Sequence, residues 1–92
     1  MEWNIGYNKN STQMDKKYHC RVCGLYNETP PWGPSGKAPT YEYCPCCGVE
    51  FGNQDYTLDS IKKYRDSWLR KGASWDEPNE KPENWDLNQQ MR

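Results

Sequence analysis

The sequence predicts a small α+β fold organised around a metal site, and three observations carry that reading. The first is a doubled C-x2-C-G motif, CRVCG at Cys20 to Gly24 and, on its outer cysteines, CPCCG at Cys44 to Gly48. The second is the alternating, β-favouring run TYEYC from Thr40 to Cys44, which suits a strand entering the second cysteine pair. The third is a stripe of Leu58, Ile61, Tyr64, Trp68 and Leu69 at a spacing near 3.6 residues, the mark of an amphipathic helix.

The cysteine pairs set the architecture. Two residues between cysteines let the chain turn tightly enough for both sulfurs to reach one ion, and the glycine after each pair relieves that turn. Four soft sulfurs favour a closed tetrahedral centre, so the expected cofactor is one structural Zn²⁺ held by Cys20, Cys23, Cys44 and Cys47. Iron in the same cage and a transient dithiol pair are the competing readings. Twenty residues separate Cys23 from Cys44, enough for a strand, a loop and a returning strand. The resulting order of strand, knuckle, loop, strand and knuckle predicts a zinc ribbon of short antiparallel strands, followed by one packed helix over 57–71 and an extended tail over 73–92.

The remaining segments fit around this frame. Residues 1–17 are mostly polar and read as a flexible leader, with Trp3, Ile5 and Tyr7 alternating as a short docking strand would. Residues 18–92 form the single domain. The loop ETPPWGPSGKAP is too rich in proline and glycine for helix or a central strand. Asp55 or Thr57 is placed to cap the helix, and Arg70, Lys71 and Gly72 to end it. Pro78 and Pro82 exclude a continuous helix in the tail, where Trp75 and Trp85 are suited to anchor an extended chain.

Composition narrows the function classes. The 92 residues contain only two Ile, two Val and four Leu, against five Trp and seven Tyr, so the expected core is a few rings beside a metal. The formal net charge is −1, and four thiolates with one Zn²⁺ add about two further negative charges. That balance gives no global attraction to nucleic acid or membrane. No apolar run is long enough to span a bilayer, and the amino end lacks the hydrophobic stretch of a signal peptide, so cytoplasm is the expected location. Cysteines there more often bind metal than pair in disulfides, and five is an odd number. Cys46, the fifth, reads as a small buried hydrophobe beside the site, with ligand exchange or redox chemistry as the alternative. His19 is a second possible ligand, less well spaced than Cys20.

No phosphate loop, nucleophile triad or H-E-x-x-H pattern occurs, and a closed four-sulfur site has no position for an activated water, so no enzyme is expected. The leading expectation is an accessory module that binds another protein through Trp32, Trp75 and Trp85, rings suited to anchor an interface. A nucleic-acid-binding ribbon is the alternative, since the helix carries Lys62, Lys63, Arg65, Arg70 and Lys71 against Asp59 and Asp66. Five acids against two bases from Asp76 to Arg92 oppose it. A structural subunit of a larger assembly is the third reading.

The runs YHCRVCG, PPWG, YEYCPCCGVEFG, YRDSWLRKGASW and ENWD resemble the bacterial cysteine-rich CPCC family over about residues 18–87. That resemblance implies the same four ligands, makes Cys46 a family feature, and marks Tyr64, Arg65, Trp68, Gly72 and Trp75 as signature positions. Arg21 and Val49 depart from the family pattern, which has proline and an aromatic there. It further implies a ribbon-like fold and, for some relatives, an accessory or immunity-type role in binding a toxin or another protein.

Overall fold

The computed structural model describes residues 16–91, so the expected leader and its alternating Trp3, Ile5 and Tyr7 fall almost wholly outside the described part. Two copies of one backbone motif come first. In residues 18–27 the Cys20 amide donates to the Leu25 carbonyl at 2.9 Å, Gly24 to Cys20 at 2.9 Å, and Asn27 to Tyr18 at 2.7 Å. Twenty-four residues later the pattern recurs, with Cys44 to Val49, Gly48 to Cys44 and Phe51 to Glu42, each at 2.9 Å. Gly24 and Gly48 hold φ of 86° and 82°, a left-handed conformation that a side chain would strain.

The expected ribbon does not form. Among the described residues no β-strand is present, and each knuckle closes on itself through one isolated antiparallel bridge, His19 with Tyr26 and Tyr43 with Glu50. The physical reasons are local. Pro30, Pro31, Pro34 and Pro39 remove backbone donors from the connection. Tyr41 takes a φ of 64°, which breaks the extended run that its alternating neighbours suggest. The fold is therefore helix and loop around a cysteine cluster, and the zinc-ribbon class is corrected accordingly. The strand-free fold also overturns the resemblance to the CPCC family, which implies a ribbon-like domain built on β-strands.

Helix α1, Leu58–Arg70, lies within the span expected from periodicity. Thr57 caps it: its hydroxyl accepts the Ser60 amide at 3.0 Å, while the Ser60 hydroxyl accepts the Thr57 amide at 3.2 Å. The far end is a Schellman turn, with the Ala73 amide bonded to Trp68 O at 2.9 Å and Gly72 to Leu69 O at 3.0 Å. Ile61 and Trp68 are buried, whereas Leu58 and Leu69 are exposed and leave the stripe two residues short.

Asp55, which the sequence offers as a helix cap, has a different task. It is fully buried; its carboxylate accepts Trp32 Nε1–H at 2.8 Å and the Gly52 amide at 2.7 Å. It thereby ties the proline-rich loop to the turn after the second knuckle. The Arg21 guanidinium lies 3.9 Å from the Trp32 ring centroid on that side.

The tail returns to the cysteines. Asp76 and Glu77 amides donate to the Cys46 and Pro45 carbonyls at 2.9 and 2.8 Å. Trp75 is buried and meets Trp85 edge to face at 5.6 Å. A 3-10 turn at Pro78–Glu80 precedes helix α2, Leu87–Gln90, which Asp86 caps. No helix among the described residues is long and apolar enough to cross a membrane.

Replacing Asp55 by alanine leaves two buried donors without acceptors, and each costs roughly 1–3 kcal/mol. Asp55→Ala is expected to lower the denaturation midpoint of the zinc-loaded protein strongly, and Asp55→Asn less. An Asp55→Ala midpoint equal to the parent's would show that the carboxylate is not a structural tie.

Candidate metal centre

The two knuckles face each other and bring the Sγ atoms of Cys20, Cys23, Cys44 and Cys47 within 4.8 Å of one another, all buried. Cys20 and Cys47 sulfurs are 3.7 Å apart, as are those of Cys23 and Cys44. A tetrahedral centre with Zn–S bonds of about 2.3 Å has sulfur–sulfur edges of about 3.8 Å. The separations fit one such ion, and each contact pairs one sulfur from either knuckle. The cluster is arranged to hold a single structural metal ion such as Zn²⁺.

Charge inside the cluster is unevenly held when the sulfurs have only one another. Thiol hydrogen bonds from Cys20, Cys23 and Cys47 pull the Cys44 thiol well below its ordinary range. Those with Cys20 and Cys44 push the Cys23 thiol far up, and the Cys20 contact pushes Cys47 up. Such a set supports one thiolate and resists the next. A divalent cation reverses that logic, because its charge stabilises all four thiolates and displaces their protons. The Val22 amide approaches Cys20 Sγ at 3.4 Å and offsets part of the negative charge.

Helix α1 holds the two knuckles from outside. The Tyr64 hydroxyl donates to the Cys47 carbonyl at 3.2 Å. From the next residue, Arg65 Nε donates to Val22 O at 2.7 Å and its terminal nitrogen to Arg21 O at 3.0 Å. Burial chiefly, with the Cys47 charge second, raises the Tyr64 phenol above its usual range, so Tyr64 keeps its proton as a donor.

Cys46 is fully buried but lies outside the set of four. It receives Gln90 Nε2–H at 3.4 Å; the same amide group donates to Cys23 O at 3.1 Å, and Gln90 Oε1 accepts Trp85 Nε1–H at 2.6 Å. A hydrogen bond with Cys23 pulls the Cys46 thiol below its ordinary range. His19 is also outside the set, its Nδ1 2.8 Å from the Gly24 carbonyl oxygen. Gln90 is the residue that sequence reasoning missed, since nothing in NQQ distinguishes it from solvated tail. Of the expected interaction residues, Trp32 and Trp75 are buried and Trp85 is half-buried, while Lys62, Lys63 and Arg70 are exposed on α1. Lys63 pairs with Asp59 at 3.4 Å, a fully solvated contact.

No family model matches the chain, so the CPCC resemblance lacks support from that side as well as from the fold. No solved structure matches it. It is similar to two proteins of Bacillus subtilis strain 168. "Uncharacterized protein YozI" is 29% identical, covering 76% of this chain and 71% of that protein. "Uncharacterized protein YoaQ" is 28% identical, covering 76% and 72%.

Binding energies of structural four-ligand sites are on the order of 10 kcal/mol, comparable to the whole stability of a small domain. Chelation is therefore expected to abolish the helical circular dichroism signal, and an unchanged spectrum would refute a structural role. Acidification should release the metal as the thiolates take up protons. Cys46→Ser should retain one zinc per chain by elemental analysis, whereas Cys44→Ser should lose it.

Proposed function

We propose that this protein is a metal-stabilised accessory module that binds another protein through exposed tyrosines and performs no catalysis of its own. The reading is supported by how the aromatic residues are divided. Trp32, Trp68 and Trp75 are buried, yet Tyr41, Tyr43 and Tyr56 are 61%, 63% and 66% exposed, with Leu58 at 74%. Tyrosine combines a large apolar face with a polar tip and anchors interfaces well.

Tyr41 carries the argument furthest. Its backbone holds a φ of 64°, a conformation that costs a non-glycine residue about 1–2 kcal/mol, while its ring stands mostly in solvent. The ring edge leans on Gly52, where a Cβ would lie 2.8 Å away, and Gly52 is held in turn by Asp55. Tyr56, directly after Asp55, meets the Trp32 ring edge to face at 5.5 Å. Backbone strain concentrates at functional positions, and a strained, mostly exposed aromatic supports a binding role. Four cysteine donors saturate a tetrahedral ion, which supports the non-catalytic reading.

A second reading, nucleic-acid binding by α1, draws on the exposed Lys62, Lys63 and Arg70. It requires affinity for random oligonucleotides that falls steeply with salt.

The two readings separate on native mass spectrometry of the protein isolated gently from its own cells. A zinc-bearing complex with a second polypeptide is expected. Tyr41→Gly removes the ring and relieves the strain, so it should preserve zinc content and melting temperature while dissociating that complex. A bare monomer from the parent chain would refute the proposal, and an intact complex with Tyr41→Gly would remove Tyr41 from the interface.

A further inference from the structure

Beside the first knuckle lies an open cleft of about 530 Å³ whose inner wall includes the ligands Cys20 and Cys23 and which the tyrosine surface does not use. Its rim is cationic: Lys16 and Lys17 precede the knuckle, Arg21 sits within it, and Arg65 reaches in from α1. Among the described residues no carboxylate lines it and none of these four side chains makes an ion pair. Val22 and Met91 give it an apolar floor.

Arg21 is the most organised of these groups. Its guanidinium lies flat enough on the Trp32 ring to approach the centroid at 3.9 Å, and Trp32 is itself fixed by Asp55. Its contacts to the Asp55 and Gly36 carbonyls, at 3.5 and 3.4 Å, are long for N–H···O bonds. A planar, stacked guanidinium with donor capacity left over is suited to two-pronged recognition of an oxyanion. Arg65, by contrast, is committed to the Val22 and Arg21 carbonyls, so it contributes charge and positioning.

We propose that this cleft binds the compact polyphosphate group of a small soluble anion, such as a nucleoside diphosphate. Four cations around one concavity outnumber the roughly two negative charges of the metal-loaded cluster, and a ligand with several negative charges in a small volume offsets the surplus best. An extended acidic peptide spreads its carboxylates at about 3.3 Å per residue to alternating sides and can turn fewer toward one cleft. A nucleic-acid strand needs a continuous cationic track, and Lys62, Lys63 and Arg70 do not line this cleft.

The test is a titration of the zinc-loaded full chain with ADP at low salt, followed by amide chemical shifts, with zinc content assayed at the end point. Saturable shifts centred on Arg21 to Gly24 are expected. The combined Lys16→Gln, Lys17→Gln and Arg21→Gln variant, which spares Arg65 and the knuckle carbonyls it holds, should bind about tenfold more weakly or worse. Lys62→Gln with Lys63→Gln should bind as the parent does. Absence of saturation, or equal affinity in the triple variant, would overturn the proposal. So would displacement of ADP by hexaglutamate at equal concentration, which would make the site a carboxylate site. Tighter binding of a twelve-nucleotide single strand that depends on Lys62 and Lys63 would overturn it in favour of a nucleic-acid track.

Discussion

Everything in this fold depends on bringing four sulfurs to within a tetrahedron's edge of one another. The cross-knuckle separations of 3.7 Å match the edge of a four-sulfur zinc tetrahedron. They place two otherwise independent ten-residue motifs face to face without a sheet between them. A chain with eight aliphatic residues of the Ile, Val and Leu types cannot build that convergence from apolar burial alone. Val22 and Val49, one from each knuckle, are nearly or fully buried, and the cysteines themselves make up much of the remaining interior. The metal site is thus both the staple and a large part of the core.

Helix α1 and the tail turn that pairing into a unique structure. Tyr64 and Arg65 hold backbone carbonyls of opposite knuckles from one helical turn, so the helix reads the relative position of the two halves. Gln90 does the same from the other side, touching Cys23 O and Cys46 Sγ. These contacts are hydrogen bonds to backbone oxygen or sulfur near a charged cluster, where a misplaced partner costs more than in water. Small displacements of the helix are therefore expected to be felt at the sulfurs, although no residue of α1 is a ligand.

What was legible in the sequence follows from how local each signal is. The knuckles were readable because C-x2-C-G fixes its own turn, and the 24-residue offset between Cys20 and Cys44 preserves every bond of the motif. Helix α1 was readable because the apolar stripe and the Thr57 cap lie within one segment. The strands were misread because alternation in TYEYC predicts pairing only if every residue is extended, and the left-handed Tyr41 depends on its contact with Gly52. Asp55 was misread for a related reason: a carboxylate two residues before a helix looks like a cap until a distant Trp32 claims it. The tryptophans were correctly seen as anchors of the tail, but the same residues offered as interface anchors are mostly inside.

That division of aromatic residues explains how so small a domain can present function at all. Where burial alone must hold a chain together, large rings are drawn inward, and an exposed one withdraws apolar area from the core. Here the sulfur cluster supplies the convergence, Trp68 and Trp75 fill the gaps around it, and Tyr26, Tyr41, Tyr43 and Tyr56 are released to the surface. The cationic cleft follows from the same arrangement. A four-thiolate site with one divalent ion carries about two negative charges, and Arg21 within the first knuckle and Arg65 bonded to its carbonyls bring positive charge beside half of the thiolates. Offsetting the cluster needs only part of that positive charge, because Lys16 and Lys17 add two more at the rim. The surplus is what an incoming anion would meet.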